Sequence, residues 1–446
     1  MFLVYDRSGK ETTLAKLLLQ MRMNEKEPPK ISAATIAGIS AIKIERKGGT
    51  SYWAEEGKYE ISASEPMVFE QILKWTKHET PEPARMAKTA AYREAGDLLR
   101  GGVADFFFHF TSTQDMDWET SVGGFRLRPL IESLKLDALH SIAGHFVLEG
   151  ARTRIQCAIL GDTRPGSVFD IWDEGTASPS SWQFINTNTV SYSESRANLP
   201  GIYGLIKRAM QATAGPGQKS PLDFMETAAE TRLGMPLPSV LAVFSGEFAS
   251  FQTSPTFDPA KQVYIVGIRK RPEALKLLRT GLAERISDEH LEGDTSFFKI
   301  SEGGHASAAG TASWKYYHAA VTPEEVVISK RYEAVRETVA AGKKASSENA
   351  MVPQSWRAAR EQFPKNVNGL GFLDFQKIDW AAAKERWKAE SDQASRRAAA
   401  KQEIQPDAFT KALKDLDPQV FPRHLHLAAS GSWKDAQGVH FDGWID

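Results

Sequence analysis

The order of short motifs along this 446-residue chain repeats once, and this repetition constrains its fold more than any other feature. The stretch "SYWAEEGKYEISAS" returns as "KYYHAAVTPEEVVISK"; both place adjacent aromatic residues before a short apolar strand that ends Ile-Ser. Seven such pairs of segments follow one another in the same order, more than 250 residues apart. Chance does not produce so many ordered matches, so we interpret them as an ancient duplication. The period is too long for a solenoid and predicts two domains.

Each copy opens with an apolar strand, a polar turn and a helix with one apolar face, as in "FLVYDRSGKETTLAKLLLQM" and "YIVGIRKRPEALKLLRTGLAERI". Pro272 suits the first turn of the second helix. The predicted unit is β-α-β-β-β-α-α-β-α-β, and its tight glycine turns make the strands antiparallel. Because each helix has a single apolar face, we expect the helices on one face of the sheet. The predicted fold class is α+β, an internally duplicated module of antiparallel sheet with helices packed on one face.

The repeat predicts three regions: a first α+β repeat at 1–162, a connecting region at 163–262, and a second α+β repeat at 263–446. The connecting region has helices and, in "SVLAVFSGEFASF", a predicted strand pair that joins the second sheet. The counterpart of this pair in the first copy would lie upstream of Met1. We therefore expect the first repeat to lack its N-terminal strands, and the chain to have lost its beginning. This fits a chain that starts inside an apolar strand without a leader peptide.

Composition excludes some classes of function. The chain has 55 basic and 56 acidic residues, and this balance does not favour nucleic acid or an anionic membrane. No stretch approaches the ~20 apolar residues that span a bilayer, so no transmembrane segment is predicted. Cys157 is the single cysteine, which excludes an internal disulfide; its apolar strand-like surroundings favour a buried, inert thiol. One cysteine fits either the cytoplasm or the periplasm.

Histidines are the first candidates for a metal site. His424 and His426, two apart in a predicted strand, point to one face with a spacing that can chelate a metal, but no third ligand is evident nearby. The matching strand of the first copy keeps only His145. We therefore favour the interpretation that these histidines face solvent and do not bind a metal. His140 lies five residues from His145 and does not suit a helical ligand pair. His109, in "FFFHF", is predicted to be a half-buried strand residue.

The remaining motifs do not reach the pattern that catalysis requires. "AGPGQKSP" resembles a phosphate loop, but Gln218 separates its glycine from the lysine and Pro221 follows. "NGLGFLDF" lacks the third glycine of a dinucleotide loop, and "FSGEF" is not a nucleophile elbow. Glu247 is flanked by apolar residues and needs a partner if it points inward; a turn or edge position is favoured over a catalytic one. No catalytic, cofactor-binding or metal-binding residue and no cofactor is predicted.

A charged, alanine-rich stretch at 379–403 is predicted to be a long exposed helix. Trp380 and Trp387, seven residues apart, would anchor one face of it. A solvated surface helix is the favoured interpretation, and a contact with a partner protein is the alternative.

The segment "FMETAAETRLGMPLPSVLAVFSGEFASF" resembles a family of uncharacterised bacterial cell-envelope proteins, a domain of unknown function. The shared features are a helix that ends Leu-Gly at 233–234 and a strand that Gly-Glu opens at 246–247. The "YIVGIRKRPEALKLL", "EEVVIS" and "SWRAAREQFP" segments extend the likeness over most of 220–380. The resemblance implies a periplasmic or envelope location if a signal peptide precedes this sequence, and otherwise the cytoplasm. It implies no catalytic residues.

Three functions stay open at this point. The favoured one is a non-enzymatic bacterial envelope protein that binds a protein, lipid or wall component in the cleft between its two repeats. The second is a structural or assembly subunit of a larger complex, with 379–403 as its contact. The third is a metal-dependent hydrolase that uses His145, His424 and His426, with Glu247 as acid or base.

Overall fold

The computed structural model describes residues 2–6, 30–36, 38–46, 49–57, 59–77, 89–99, 102–110, 121–122, 125–126, 132–172, 180–214, 220–301, 316–345, 352–385, 388–389, 417 and 419–446.

Strands and helices in these ranges are named in chain order. The strands are β1 (Phe2–Asp6), β2 (Lys30–Ile36), β3 (Ile39–Arg46), β4 (Gly49–Glu56), β5 (Tyr59–Ala63), β6 (Ala104–His109), β7 (Ser121–Val122), β8 (Phe125–Arg126), β9 (Leu139–Glu149), β10 (Arg152–Gly161), β11 (Ser191–Arg196), β12 (Phe244–Gln252), β13 (Gln262–Ile268), β14 (Ile286–Glu292), β15 (Thr295–Ser301), β16 (Tyr316–Val321), β17 (Glu325–Ser329), β18 (Gly369–Asp374), β19 (Leu427–Lys434) and β20 (Gly438–Ile445). The helices are α1 (Pro66–Thr76), α2 (Ala90–Glu94), α3 (Leu199–Thr213), α4 (Pro221–Leu233), α5 (Leu237–Leu241), α6 (Arg271–Gly281), α7 (Tyr332–Ala345), α8 (Gln354–Arg360) and α9 (Val420–His424). Within the described ranges, no helix has both the length and the apolar character needed to cross a membrane.

Two compact units divide the chain. One consists of Met1–Glu94 with Trp387–Leu416, and the other of Ala95–Arg386 with Asp417–Asp446. The strands of the predicted first repeat, 1–162, belong to both units. The repeat boundaries inferred from the sequence stay a prediction.

The first unit contains a five-stranded antiparallel sheet in the order β1-β5-β4-β3-β2. Helix α1 lies on one face, where the spacing of Phe69, Ile72 and Leu73 places all three on one side of the helix. They are buried against Ala54 and Ile61 of the hairpin β4–β5. Each fully buried large apolar side chain of this kind contributes roughly 1.5–3 kcal/mol.

The second unit contains a thirteen-stranded antiparallel sheet in the order β14-β15-β16-β17-β13-β12-β11-β18-β19-β20-β10-β9-β6. A separate ribbon pairs β7 with β8. Large antiparallel sheets together with helices confirm the predicted α+β class.

The strand order of the first sheet recurs inside the second. Reading β2-β3-β4-β5-β1 in one and β14-β15-β16-β17-β13 in the other gives the same sequence of pairings. Strands β6-β9-β10 likewise match β18-β19-β20. Each of these three-stranded groups begins with the same irregular hydrogen bond. In the first group the amide of Val103 donates to the carbonyl of Phe146, and in the second the amide of Asn368 donates to the carbonyl of Ser432, both at 2.7 Å. Both bonds are shifted by one residue from the register of the strand pair that follows. The groups meet where β10 pairs with β20.

The prediction that helices lie on one face is wrong for the thirteen-stranded sheet. Neighbouring residues of a strand point to opposite faces. On β16, Ala320 packs in the cluster of Val339 from α7, and we name this side the first face. Ala319 packs in the cluster of Leu275 from α6, on the second face. The apolar stripe of a helix indicates which side of the helix is buried. It does not indicate which face of the sheet the helix packs against.

The predicted unit also lacks two strands, β14 and β20, which each add one antiparallel neighbour. The alignment of the quoted hairpins is shifted by one residue. The sequence alignment equates Ile61 of β5 with Ile328 of β17. Ile61 packs in the cluster of α1, but in the second sheet the residue of β17 that packs in the cluster of α7 is Val327. A one-residue shift moves every side chain of a strand to the other face, so the shared Ile-Ser is not a structural match.

The predicted strand pair of the connecting region is a single strand. Residues Leu237–Leu241 form helix α5, which Pro238 opens at a position where its missing amide proton costs nothing. The following strand, β12, has a bulge between Phe244 and Phe248 and pairs with β13 on one side and β11 on the other.

Candidate functional site

The predicted pair of metal-binding histidines does not lie on a strand. His424 is the last residue of α9 and His426 lies between that helix and β19; both are exposed. The helical turn breaks the alternation that would have aligned them. His145 is buried on β9, with its Nε2 3.0 Å from Oε1 of Gln156. Across the described ranges, no group of three or more His, Cys, Asp or Glu side chains could hold a metal ion.

The counterpart of His426 in the first three-stranded group is His140, and the match to His145 is wrong. The amide of Phe110 donates to the carbonyl of His140 at 3.0 Å, and the amide of Phe375 donates to that of His426 at 2.9 Å. Both bonds close the same end of a corresponding strand pair. The sequence alignment missed the match of His140 with His426 because the two strand pairs have few other residues in common.

Two other predicted residues have local explanations. Cys157, predicted to be buried, is partly exposed; burial raises the pKa of its thiol, and the nearby carboxylate of Asp442 raises it further. His109, predicted to be half-buried, is exposed at the end of β6, and its ring stacks beside Phe107 with centroids 6.4 Å apart.

Glu247 has the partner that its apolar flanks require. It lies opposite Arg196 of β11, and the two side chains form an ion pair. The bulge in β12 immediately before Phe248 sets the position of Glu247. The ion pair with Arg196 therefore explains how a carboxylate with apolar neighbours in sequence is accommodated.

A second acidic group lies in the core beside this pair. Glu194 accepts hydrogen bonds from the hydroxyls of Tyr192 and Ser181, the latter at 3.1 Å. Burial raises the pKa of Glu194 to about 7, because desolvation of the carboxylate outweighs these hydrogen bonds. Burial also raises the pKa of Glu325, which Thr322 contacts at 2.9 Å. Because burial raises the pKa of both acids, their protonation couples the stability of the fold to pH.

The junction of the two three-stranded groups carries a buried ion pair. Asp442 of β20 is 4% exposed and receives two hydrogen bonds from Arg154 of β10, at 2.9 and 2.5 Å. Gln156 donates a third at 3.2 Å. The bond to Asp442 raises the pKa of Arg154. Bidentate pairing of this kind fixes the register of β10 against β20.

The other side of this junction is an apolar groove of about 520 Å³ on the second face. The residues that line it come from six neighbouring strands, β9, β10, β20, β19, β18 and β11. Cross-strand pairing places Phe146 beside Ile155, and Ile155 beside Gly443. A second row brings Ile445 beside Ala428. The groove is lined by Phe146, Thr153, Ile155, Tyr192, Gly371, Phe372, Leu373, Ala428, Ala429, Ser430, Gly443, Trp444 and Ile445.

Small residues form the groove's floor because an aromatic ring is missing from it. In the first three-stranded group the ring of Phe106 lies over Gly144, where an added Cβ would come within 2.6 Å of its Cζ. Gly371 occupies the place of Phe106 in the second group, three residues after the matching irregularity. A Cβ at Gly371 would meet Ser430 Oγ at 2.6 Å and only atoms at 4.0 Å beyond it. The groove therefore lies at a position where the two three-stranded groups differ.

Large apolar side chains around this groove are exposed to solvent. Phe146 is 40% exposed, Ile155 38% and Ile445 40%, and Leu148 on the next row is 57% exposed. On the first face, residues of the same strands lie under helices; Trp444 is 4% exposed. A contiguous exposed apolar surface of this kind is a candidate interaction site. Apolar residues alternate with others along parts of β9 and β10, a pattern that does not distinguish an exposed apolar face from a buried one.

The helix predicted at 379–403 is described only in part. Trp380 is buried, stacks on Phe421 with ring centroids 4.3 Å apart, and donates a 3.0 Å hydrogen bond to the carbonyl of Phe375. This agrees with its predicted role as an anchor. Trp387 and most of the stretch lie outside the described residues.

Comparisons with protein-family models, with curated proteins and with solved structures found no match for this chain. The resemblance to an envelope family stays a prediction.

Proposed function

We propose that this protein is a non-enzymatic binding protein that receives an amphipathic helix of a partner protein in the groove where β10 meets β20. The observation that carries the proposal is the exposed apolar surface around that groove. From β9 to β18 there are four strand spacings, about 19 Å, which is the length of about three and a half helical turns. An amphipathic helix of that length, packed by its apolar face, would cover the exposed side chains.

The open shape of the groove favours a protein over a lipid. Sites for small apolar molecules are concave and bury most of the ligand's surface. Here the lining side chains stand on a sheet face, and Phe146, Ile155 and Ile445 each keep more than a third of their surface exposed. An acyl chain lying there would keep much of its own surface in water. An amphipathic helix would bury its apolar face against the groove and expose only its polar face to water.

The two matching strand orders support an ancient duplication. The same order occurs in both sheets, and the same irregularity begins both three-stranded groups. If the copies share an ancestor, β10 and β20 are equivalent strands, and the groove lies on the cleft between the repeats. The loss of an aromatic ring from one copy, as at Gly371, would then have opened the binding surface.

Location in the bacterial cell envelope belongs to the same proposal and rests on the family resemblance alone. A role as an assembly subunit is compatible with helix binding, because the partner could be a component of a larger complex. The hydrolase alternative loses its support, since His424 and His426 are exposed on either side of a helix end and His145 lies on another strand.

A charge placed in the groove is expected to abolish helix binding. The probe is a labelled synthetic 18-residue helix with leucines spaced three and four residues apart and glutamine and alanine elsewhere. Fluorescence anisotropy should show saturable binding to the natural protein. Ile155→Glu should weaken it at least about tenfold, because the helix would have to desolvate a carboxylate.

The matched control is Leu291→Glu, which puts the same charge on an exposed leucine of β14 outside the groove. Circular dichroism verifies that both variants fold. The proposal is wrong if the natural protein does not bind the peptide, or if both variants bind it as well as the natural protein does.

A further inference from the structure

We infer that the partner's chain continues beyond the bound helix as a short extended segment, which crosses the second face and places an apolar side chain against Phe248 and Tyr264; this inference rests on the proposed function. Phe248 of β12 is 39% exposed and Tyr264 of β13 is 50% exposed. These two rings form a second exposed apolar surface, which we name the aromatic patch.

Cross-strand pairing aligns the aromatic patch with the groove. In an antiparallel sheet, residues directly opposite each other on neighbouring strands point to the same face. One continuous row of such pairs joins the groove to the aromatic patch. Its members are, in order, Phe146, Ile155, Gly443, Ser430, Gly371, Ser193, Ser250 and Tyr264. Tyr264 therefore lies on the same face of the sheet as Ile155.

The next residues of this row identify the face independently. Tyr264 pairs with Ile328 of β17, which pairs with Ala319 of β16. Ile328 and Ala319 both pack in the cluster that α6 forms on the second face. Phe248 points the same way, because it lies two residues from Ser250 on β12. The aromatic patch is thus on the second face, next to the part of that face that α6 covers.

Exposed hydroxyl groups lie between the groove and the aromatic patch. Ser193 and Ser195 of β11 are exposed, and the hydroxyl of Ser193 lies 3.0 Å from that of Ser250. Each hydroxyl can donate one hydrogen bond and accept two. A helix satisfies its own main-chain groups, whereas an extended segment has N–H and C=O groups that need partners. This part of the second face therefore suits an extended segment better than a longer helix.

The strand spacing gives the length of that segment. From β18 to β13 there are three strand spacings, or about 14 Å, which an extended chain of about four to five residues covers. Phe248 and Tyr264 are diagonal neighbours across the β12–β13 pair, a separation that one large side chain spans. An aromatic side chain at the end of the segment would pack against both rings and remove them from water.

The experiment adds a five-residue tail to the 18-residue synthetic helix. The tail consists of alternating serine and glycine followed by a terminal phenylalanine, and its matched form ends in serine. Each tail is attached to either end of the helix in separate peptides. We expect at least one phenylalanine-tailed peptide to bind about fivefold more tightly than its serine-tailed match, because the added ring becomes buried.

Two ring-removing variants locate the tail. Tyr264→Ser and Phe248→Ser should each remove most of the gain that phenylalanine gives. The matched control is Leu291→Ser, which removes an exposed apolar side chain from β14 and should keep the gain. Circular dichroism verifies that each variant folds.

The outcomes separate this inference from the proposed function. If the 18-residue helix binds and neither phenylalanine-tailed peptide gains affinity, the inference is wrong and the groove stands. If the gain survives in both Tyr264→Ser and Phe248→Ser, the tail packs elsewhere and the inference is again wrong. If no form of the helix binds, the proposed function fails and the inference fails with it.

Discussion

Replacing Trp356 by alanine is expected to lower the free energy of unfolding by about 4 kcal/mol, the largest effect of any substitution considered for this chain. The indole of Trp356 is 0% exposed and lies between α8 and the sheet. Its ring stacks on Phe372 of β18 at a centroid distance of 5.3 Å and lies 6.5 Å from the ring of Tyr192 on β11. Alanine would leave a cavity where these strands meet.

Chemical denaturation monitored by circular dichroism measures this loss. Trp356→Phe is the matched control, because it keeps an aromatic ring against Phe372, and it should cost about 1–2 kcal/mol. A loss below about 1 kcal/mol for the alanine variant would show that α8 does not pack on the first face as described.

Glu194 is expected to make this protein less stable as the pH rises from about 4.5 to 7. Burial raises the pKa of Glu194 from its ordinary value of 4.5 to about 7, so the folded state holds the proton more tightly than the unfolded chain does. Its stabilising contribution is complete below pH 4.5, falls as the pH rises through this window, and is constant above it. The change amounts to at most about 3 kcal/mol. Tyr192, Ser181, Arg196, Glu247 and Arg360 are the polar groups that face it.

The measurement is the free energy of unfolding of the natural protein and of Glu194→Gln between pH 4 and 8. Glutamine keeps the shape and an acceptor but does not titrate, so the two curves should diverge by about 2–3 kcal/mol between pH 4.5 and 7.5. Glu325, whose pKa is also raised by burial, gives both proteins a shared residual slope in the same direction. Parallel curves would show that Glu194 is not desolvated in the folded protein.

Local signals in the sequence predicted the elements that have strong periodicity. The helix opened by Pro272 runs from Arg271 to Gly281 as its leucine spacing indicates. The apolar hairpins became β15–β16–β17 and β3–β4–β5. Such segments are predictable because burial of one face dictates their pattern without reference to the rest of the chain.

The elements that were missed lack such a pattern. Strand β14 reads "ISDEHLE" and is exposed along nearly its whole length, since it lies at the end of the sheet and packs on little. Strand β20 reads "GVHFDGWI", with an aspartate that faces inward only because Arg154 of another strand neutralises it. Because Arg154 is so distant in sequence, the residues around Asp442 do not indicate that this partner exists.

The groove was beyond prediction for a related reason. Ile155 alternates with polar residues as a core residue does, and its exposure depends on the lack of a ring at Gly371 and on helices being placed elsewhere. The sidedness of helices α6 and α7 is a property of the chain's path over the sheet. Neither follows from the periodicity of any single segment.

The central claim is that a partner helix lies on the second face, across the junction of β10 and β20. The most direct test uses the synthetic helix with a photoreactive leucine analogue on its apolar side, followed by mass spectrometry of the cross-linked protein. The account predicts cross-links at Phe146, Ile155 and Ile445, which an excess of unlabelled peptide suppresses. Cross-links confined to α7 and α8 on the first face, or to the five-stranded sheet, would contradict it.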